Sequence, residues 1–180
     1  DIAFFSQSGA LCTAILDWSV KEKIGFSKFI SLGNKADISE TDLLKALGND
    51  PDTKVILGYI EDVKDGHEFM RVAREVTAKK PVVICKAGGT KAGAKAASSH
   101  TGSLAGSEAA FDAAFAQTGI IRAETIEDLF DYAVAFSYQK LPKGDGLAII
   151  TNAGGPGIIA VDAVERSKYA KVAPLSKETT

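Results

Sequence analysis

Short apolar runs rich in β-branched and aromatic residues alternate with longer segments of helical periodicity along the first 140 residues. The runs have the length of strands, and the segments between them repeat apolar side chains every three or four residues. In one segment, Leu11, Ile15 and Trp18 fall on the same helical face. The pattern predicts strands at residues 2–6, 28–32, 54–60, 81–86 and 119–122. It predicts helices at residues 10–22, 41–47, 66–78, 104–117 and 126–138.

Five alternations of strand and helix are typical of an α/β fold with a doubly wound parallel sheet. We expect a flavodoxin-like five-stranded sheet with strand order 2-1-3-4-5. Ligands in such folds bind beyond the carboxyl ends of the strands, near the point where strand order reverses. The loops after strands one, three and four are therefore the first places to look for a site.

A break in the pattern near residues 141–145 predicts the end of this first domain, which we place at residues 1–140. A new strand follows at 146–151 and a helix at 158–166, which we interpret as the first βα unit of a second α/β domain at 145–180. Because one βα unit cannot enclose a core, we expect the chain to be a piece of a larger protein.

Composition narrows the classes of function. With 46% hydrophobic residues, 24% charged residues and a formal net charge of −2, the chain has no electrostatic reason to bind nucleic acid. No apolar run reaches the roughly 20 residues of a membrane helix. Cys12 and Cys85 show no disulfide or zinc spacing, so we expect no metal site and a reducing cytoplasm.

The segment Ser6-Gln7-Ser8-Gly9 follows the first predicted strand and opens the first helix. Free backbone N–H groups of Ser8, Gly9 and Ala10 at this helix start would form an anion site, and glycine allows close approach. The alternative is a serine that only caps the helix, since serine is a preferred N-cap.

The segment from Thr151 to Gly157 repeats this arrangement after a later strand, with Asn152, Gly154 and Gly155 as candidate phosphate-binding residues. It does not match a Walker A loop, which needs Gly-Lys-Ser/Thr. A simple tight turn is the alternative.

His100 lies in a long stretch of Gly, Ala, Lys and Ser, between Lys86 and Ser103, with almost no large apolar neighbour in sequence. Long connections in compact domains are usually functional or disordered, so a solvated linker is the alternative to a catalytic loop. Lys91 and Lys95 could attract a phosphorylated substrate. Glu61, after the third strand, could orient an imidazole, or be merely a solvated acid. The other histidine, His67, reads as a surface residue.

Together these residues resemble the NDP-forming acyl-CoA synthetases, which include ADP-forming acetyl-CoA synthetase and are related to succinyl-CoA synthetase. The resemblance covers essentially the whole chain, and the segment from Ser99 to Gly106 is its most specific part. Its other motifs are Ser6-Gln7-Ser8-Gly9, Gly33-Asn34 with Asp37, Glu61, and Thr151 to Gly157.

The resemblance implies that acyl-CoA and phosphate give acyl phosphate, whose phosphoryl group passes to a histidine and then to ADP or GDP. By this resemblance His100 matches that histidine, and Glu61 matches the carboxylate that positions it. The helix starts at Ser8-Gly9 and at Gly154-Gly155 match two anion-binding sites, or cradles, that stabilise the phosphorylated form. It implies no tightly bound cofactor. CoA, ADP or ATP and magnesium would be held largely by a CoA-binding domain and an ATP-grasp domain or subunit, in an oligomer.

Two other functions remain open. Similar domains occur fused to acetyltransferases, where they sense a ligand and perform no ligation, although such modules often lack the histidine. A flavin-binding flavodoxin is also compatible with the first loop, but would leave His100 without a role.

Overall fold

The computed structural model describes residues 1–89, 93 and 107–176. The chain divides into two compact units, Asp1–Gln139 and Lys140–Thr180, and each is considered by itself. Across the described ranges, we find no helix with both the length and the apolar character needed to cross a membrane.

The first unit is a parallel five-stranded sheet in the order β2-β1-β3-β4-β5, which is the order expected for a flavodoxin-like fold. Its strands are β1 (Ile2–Ser6), β2 (Phe26–Ser31), β3 (Val55–Ile60), β4 (Val82–Lys86) and β5 (Ile121–Ala123). Its helices in the described ranges are α1 (Gly9–Glu22), α2 (Glu40–Asn49), α3 (Gly66–Thr77), α4 (Glu108–Thr118) and α5 (Ile126–Tyr138).

The sheet is covered on both faces, which is why its central strands carry continuous apolar runs. Along β1, Ala3 and Phe5 point to the core beneath α2, α3 and α4. Ile2 and Phe4 point to the opposite core, beneath α1 and α5. Each face thus receives every second residue of the strand, so a shift of one residue would exchange the two cores.

Two strands begin two residues away from their predicted starts. The second begins at Phe26 rather than at residue 28, and the fifth begins at Ile121 rather than at residue 119. Gly119 instead terminates α4 in the left-handed region, with a φ of 74°, a conformation that glycine adopts without steric cost. The predicted start of that helix at Leu104 falls outside the described residues.

The second unit is a βαβ unit and not the single βα unit that we expected. It contains β6 (Gly146–Leu147), α6 (Gly154–Arg166) and β7 (Lys171–Val172), with the two strands parallel. The first strand is shorter than predicted. The helix begins at Gly154 rather than at residue 158, because glycine and proline are tolerated in a first helical turn that has no intrahelical N–H bonds to lose.

Gly58 on β3 pairs with Phe5 on β1. A Cβ at Gly58 would lie 2.7 Å from Cζ of the Phe5 ring, which is fully buried. We expect Gly58→Ala to lower the free energy of unfolding by about 1–3 kcal/mol, because the packed core leaves the ring little room. Denaturant unfolding followed by the fluorescence of Trp18 would measure this change.

Gly66→Ala is the matched control, since Gly66 begins α3 with open space around its Cα and alanine is the better helix former. Equal stability of the two alanine variants would contradict the tight packing at Gly58.

Candidate functional site

The loop after β1 is attached to the loop after β3 by the side chain of Gln7, which is 9% exposed. Gln7 Oε1 accepts hydrogen bonds from the backbone N–H groups of Glu61, at 2.7 Å, and Asp62, at 3.2 Å. Gln7 Nε2 donates to the Asp62 carbonyl oxygen at 3.0 Å. One amide group therefore satisfies three backbone groups of the segment that follows β3.

Glu40 provides a buried negative charge next to this amide, at the first residue of α2, and it is 0% exposed. Its Oε1 accepts from the Lys64 backbone N–H at 3.1 Å, and its Oε2 lies 3.4 Å from Gln7 Nε2 and from Lys35 Nζ. Lys35 Nζ also pairs with the Asp62 carboxylate. We call Gln7, Lys35, Glu40 and Asp62 the polar cluster.

The loop after β2 brings Lys35 to this cluster through an unusual backbone. Gly33 and Lys35 both have positive φ values, 60° and 54°. Non-glycine residues rarely adopt this region, so the contacts of the lysine head group stabilise a conformation that its own backbone disfavours. Asn34 and Asp37, from the same predicted motif, are exposed.

Glu61 itself follows β3 and is half-buried. No hydrogen bond or ion pair within the described ranges uses its carboxylate, while its backbone N–H is held by Gln7. Burial raises the pKa of the neighbouring Tyr59, and the negative charge of Glu61 raises it further. The Glu61 carboxylate thus has no partner in the described ranges, while its main chain is fixed.

The start of α1 only partly matches its prediction. The Ser8 N–H, which we expected to be free, donates to Ser6 Oγ at 2.9 Å, and Ser8 Oγ caps the helix by accepting from the Leu11 N–H at 3.3 Å. The predicted helix cap therefore exists. The N–H groups of Gly9 and Ala10 have no hydrogen-bond partner among the described residues, and both residues are exposed.

The start of α6 has the same character. Thr151 Oγ1 accepts from the Ala153 N–H at 3.1 Å, and Ala153, as the N-cap, offers no side-chain hydrogen bond. Gly154 and Gly155 are exposed, with open space where a Cβ would lie. Their N–H groups have no partner in the described residues, and nearby Asn152 is exposed as well.

Lys86 is a buried charged residue at the carboxyl edge of the sheet that the sequence analysis did not single out. It ends β4, is 6% exposed, and lies with Nζ 4.7 Å from the centre of the Phe111 ring, while donating to the Ala87 carbonyl oxygen. Burial lowers its pKa, opposed by the negative charges of Glu108, Asp62 and Glu61. The signal in the sequence was a charged residue closing an apolar strand at the functional edge of the sheet.

His100 lies outside the described residues, as do Lys91 and Lys95, so their predicted roles stay predictions. His67 is exposed near the start of α3, as expected. In the part of the chain that the structure describes, no group of three or more His, Cys, Asp or Glu side chains could hold a metal ion.

Known proteins similar to this chain decide its family. Residues 1–136 match the family model of the succinyl-CoA ligase like flavodoxin domain. The chain belongs to this family. We refer to its first unit as the ligase-like domain.

Several relatives are similar over most of the chain. An acetate–CoA ligase (ADP-forming) I subunit alpha of Pyrococcus furiosus is 54% identical over 91% of this chain, which corresponds to 36% of the relative. A 4-hydroxybutyrate–CoA ligase (ADP-forming) of Nitrosopumilus maritimus is 52% identical over 93% of this chain and 24% of its own. The chain therefore spans about a quarter to a third of the length of these relatives.

A solved structure extends the similarity to three dimensions. The acetyl-coenzyme A synthetase 1 of Ca. Korarchaeum cryptofilum, described as dinucleotide forming and in complex with phosphate and ADP, superposes with a TM-score of 0.90 at 43% identity. The match covers 97% of this chain and 38% of that one. The ligase-like domain thus has the predicted flavodoxin-like fold.

The buried charge of Lys86 generates a prediction about pH. The pKa of Lys86 in the folded chain lies below the ordinary 10.5. Well above that pH the amine is neutral in both the folded and the unfolded chain, so its burial carries no charge penalty. As pH falls the amine becomes protonated, and the penalty lowers the free energy of unfolding. We expect Lys86→Met to raise the free energy of unfolding at pH 7. The difference in free energy of unfolding between the variant and the parent should become smaller as pH approaches 10.5. Denaturant unfolding at several pH values would measure it.

Lys79→Met is the control, because Lys79 is exposed. Two outcomes would contradict the assigned cost of burying Lys86. One is a gain in free energy of unfolding for Lys86→Met that is no larger than the gain for Lys79→Met, and the other is a gain that increases with pH.

Proposed function

We propose that this chain is the part of an ADP- or NDP-forming acyl-CoA synthetase that carries the phosphorylated histidine. The observation that carries the proposal is the edge of the sheet where the Glu61 carboxylate has no hydrogen-bond partner among the described residues and its main chain is fixed by Gln7. Gly9 and Ala10, whose N–H groups also have no partner within the described ranges, begin the helix after the adjacent strand, β1. High identity to ADP-forming CoA ligases supports the same conclusion.

The reaction is an exchange of acyl-CoA, ADP and phosphate for acid, CoA and ATP. Phosphate oxygen attacks the thioester carbonyl and displaces CoA, which gives an acyl phosphate. An imidazole nitrogen of His100 then attacks the phosphorus and releases the carboxylate of the acid. Finally an oxygen of the terminal phosphate of ADP attacks the phosphohistidine, so that ATP forms and the imidazole returns to its initial state.

Each proposed residue has a physical role in this sequence. Glu61 accepts a hydrogen bond from one imidazole nitrogen, which leaves the lone pair of the other directed at phosphorus. The helix start at Gly9 and Ala10 supplies N–H donors to phosphoryl oxygens. The helix start at Gly154 and Gly155, with Asn152 beside it, is a separate cradle of the same kind. Backbone N–H groups stabilise the anion without readily giving up a proton.

Other components of the reaction bind mainly outside this chain in our proposal. A CoA-binding domain and an ATP-grasp domain or subunit would hold acyl-CoA, nucleotide and magnesium, in an oligomeric assembly. Magnesium would neutralise charge on the nucleotide phosphates there. We assign the protein to the cytoplasm because the buried cysteines Cys12 and Cys85 are both unpaired thiols.

Phosphoryl labelling tests the proposal directly. We expect the chain, in its full-length context with the nucleotide-binding partner, magnesium and labelled ATP, to gain an acid-labile, base-stable phosphoryl group. His100→Asn should abolish the label, because it removes the imidazole that takes the group in this proposal. His67→Asn is the control and should keep it, since His67 lies on the surface. A folded, partner-complete protein that took no label would favour a ligand-sensing module instead.

The anion site at α1 permits a single-atom test. Proline is tolerated at a first helical position, and Ser8 already has the extended backbone that precedes proline, so Gly9→Pro should fold while losing one N–H donor. One hydrogen bond to a charged group contributes about 1.5–3 kcal/mol. We therefore expect labelling to slow by about 10- to 100-fold, measured as an initial rate.

Gly9→Ala retains the N–H, and the nearest atom to its new Cβ would be 3.8 Å away, so its rate should stay near that of the parent. If proline and alanine slowed labelling equally, the N–H of Gly9 would have no role.

A further inference from the structure

The orientation of the Gln7 amide is determined by its surroundings. Its oxygen faces two backbone N–H donors, from Glu61 and Asp62. Its nitrogen faces two oxygens, the Asp62 carbonyl and Oε2 of Glu40. Rotating the amide by 180° would oppose donors to donors and acceptors to acceptors, so only one orientation satisfies all four groups.

Glu40 is the partner that makes this orientation strongly preferred. A carboxylate can only accept hydrogen bonds, so it requires the NH₂ side of Gln7 to face it. The carboxylate is fully buried, which strengthens its electrostatic effect on neighbouring dipoles. The main chain of Glu61 is therefore held by an amide that the buried charge of Glu40 holds from its other side.

We infer that Glu40 is a positioning residue for the phosphoryl transfer, acting through Gln7 on the main chain of Glu61, with Lys35 as its counter-ion. This inference rests on the proposed role of Glu61 beside the imidazole. Glu40 does not contact the reacting atoms. It acts on the position of the Glu61 main chain, from which the Glu61 carboxylate extends.

Lys35 is needed because Glu40 and Asp62 are both acidic. Its Nζ lies 3.4 Å from Glu40 Oε2 and pairs with the Asp62 carboxylate, and its side chain is only 11% exposed. Without it, two carboxylates would repel one another across the Gln7 amide. The backbone of Lys35, with its positive φ, places this ammonium group beside the two carboxylates from the loop after β2.

The test is a double-mutant cycle between Glu40→Gln and Glu61→Gln, measured in the full-length protein with its nucleotide-binding partner. The readout is the initial rate of phosphohistidine formation from labelled ATP. Glu40→Gln keeps the shape of the side chain but removes the charge that accepts from Gln7 Nε2 and pairs with Lys35. We expect labelling to slow by about 10-fold or more, since misplacement of a catalytic group by 1 Å can cost about 100-fold.

The cycle separates positioning from a merely structural role. If Glu40 acts through Glu61, Glu40→Gln should change the rate little once Glu61 is already glutamine. Additive losses, or a normal rate for Glu40→Gln alone, would overturn the inference. If His100→Asn keeps its label or Glu61→Gln has the parent rate, the proposed function itself has failed, and the inference falls with it.

Asp42→Asn is the matched control, because Asp42 lies on the same helix, is exposed, and accepts from the backbone and side chain of Ser39. It removes one negative charge and a helix cap without contact to Gln7, so its labelling rate should match the parent. If Glu40→Gln does not fold, Lys35→Met replaces it in the same cycle. Lys35→Arg, which retains the charge, should recover most of the rate lost in Lys35→Met, and no recovery would count against the inference.

Discussion

The buried carboxylate of Glu40 is the constraint on which the site depends. A charge removed from water is costly unless hydrogen bonds and an opposite charge compensate it. Here the compensation comes from three different loops: Gln7 follows β1, Lys35 follows β2, and the Lys64 N–H follows β3. The carboxylate of Glu40 is therefore fully compensated only when the loops after β1, β2 and β3 are held together in this arrangement.

The sheet below makes that arrangement possible. Parallel pairing aligns Ser6 with Ser31 and with Tyr59, so the three strands end at the same level. The sheet has a separate core on each face, and these cores fix the register of the strands. A shift of one residue would move every side chain of a strand to the opposite face, where it would not fit the core. The rigid sheet provides the precision, and the loops provide the polar groups.

Charges of both signs meet at this edge. The ammonium groups of Lys35 and Lys86 lie at the same ends of the strands as the carboxylates of Glu40, Glu61 and Asp62. Burial lowers the pKa of Lys86, which means that the fold tolerates an unfavourable charge at this place. Such costs are common where a protein handles a ligand rather than where it only packs.

Local patterns alone determined much of this protein. The alternation of apolar runs with helical segments predicted the parallel α/β sheet, and helical periodicity predicted α5 over residues 126–138, because both signals repeat within a few residues of one another. Serine and glycine after β1 also predicted the helix start, although not that Ser6 would bind the Ser8 N–H. Glu61 was selected because it ends a strand. The burial of Glu40 and Lys86 was decided only by the tertiary structure, since a charged residue has the same sequence signature on the surface as in the interior. Glu40 and Gln7 are 33 positions apart, and only the parallel pairing of the strands brings such distant polar groups within hydrogen-bond distance.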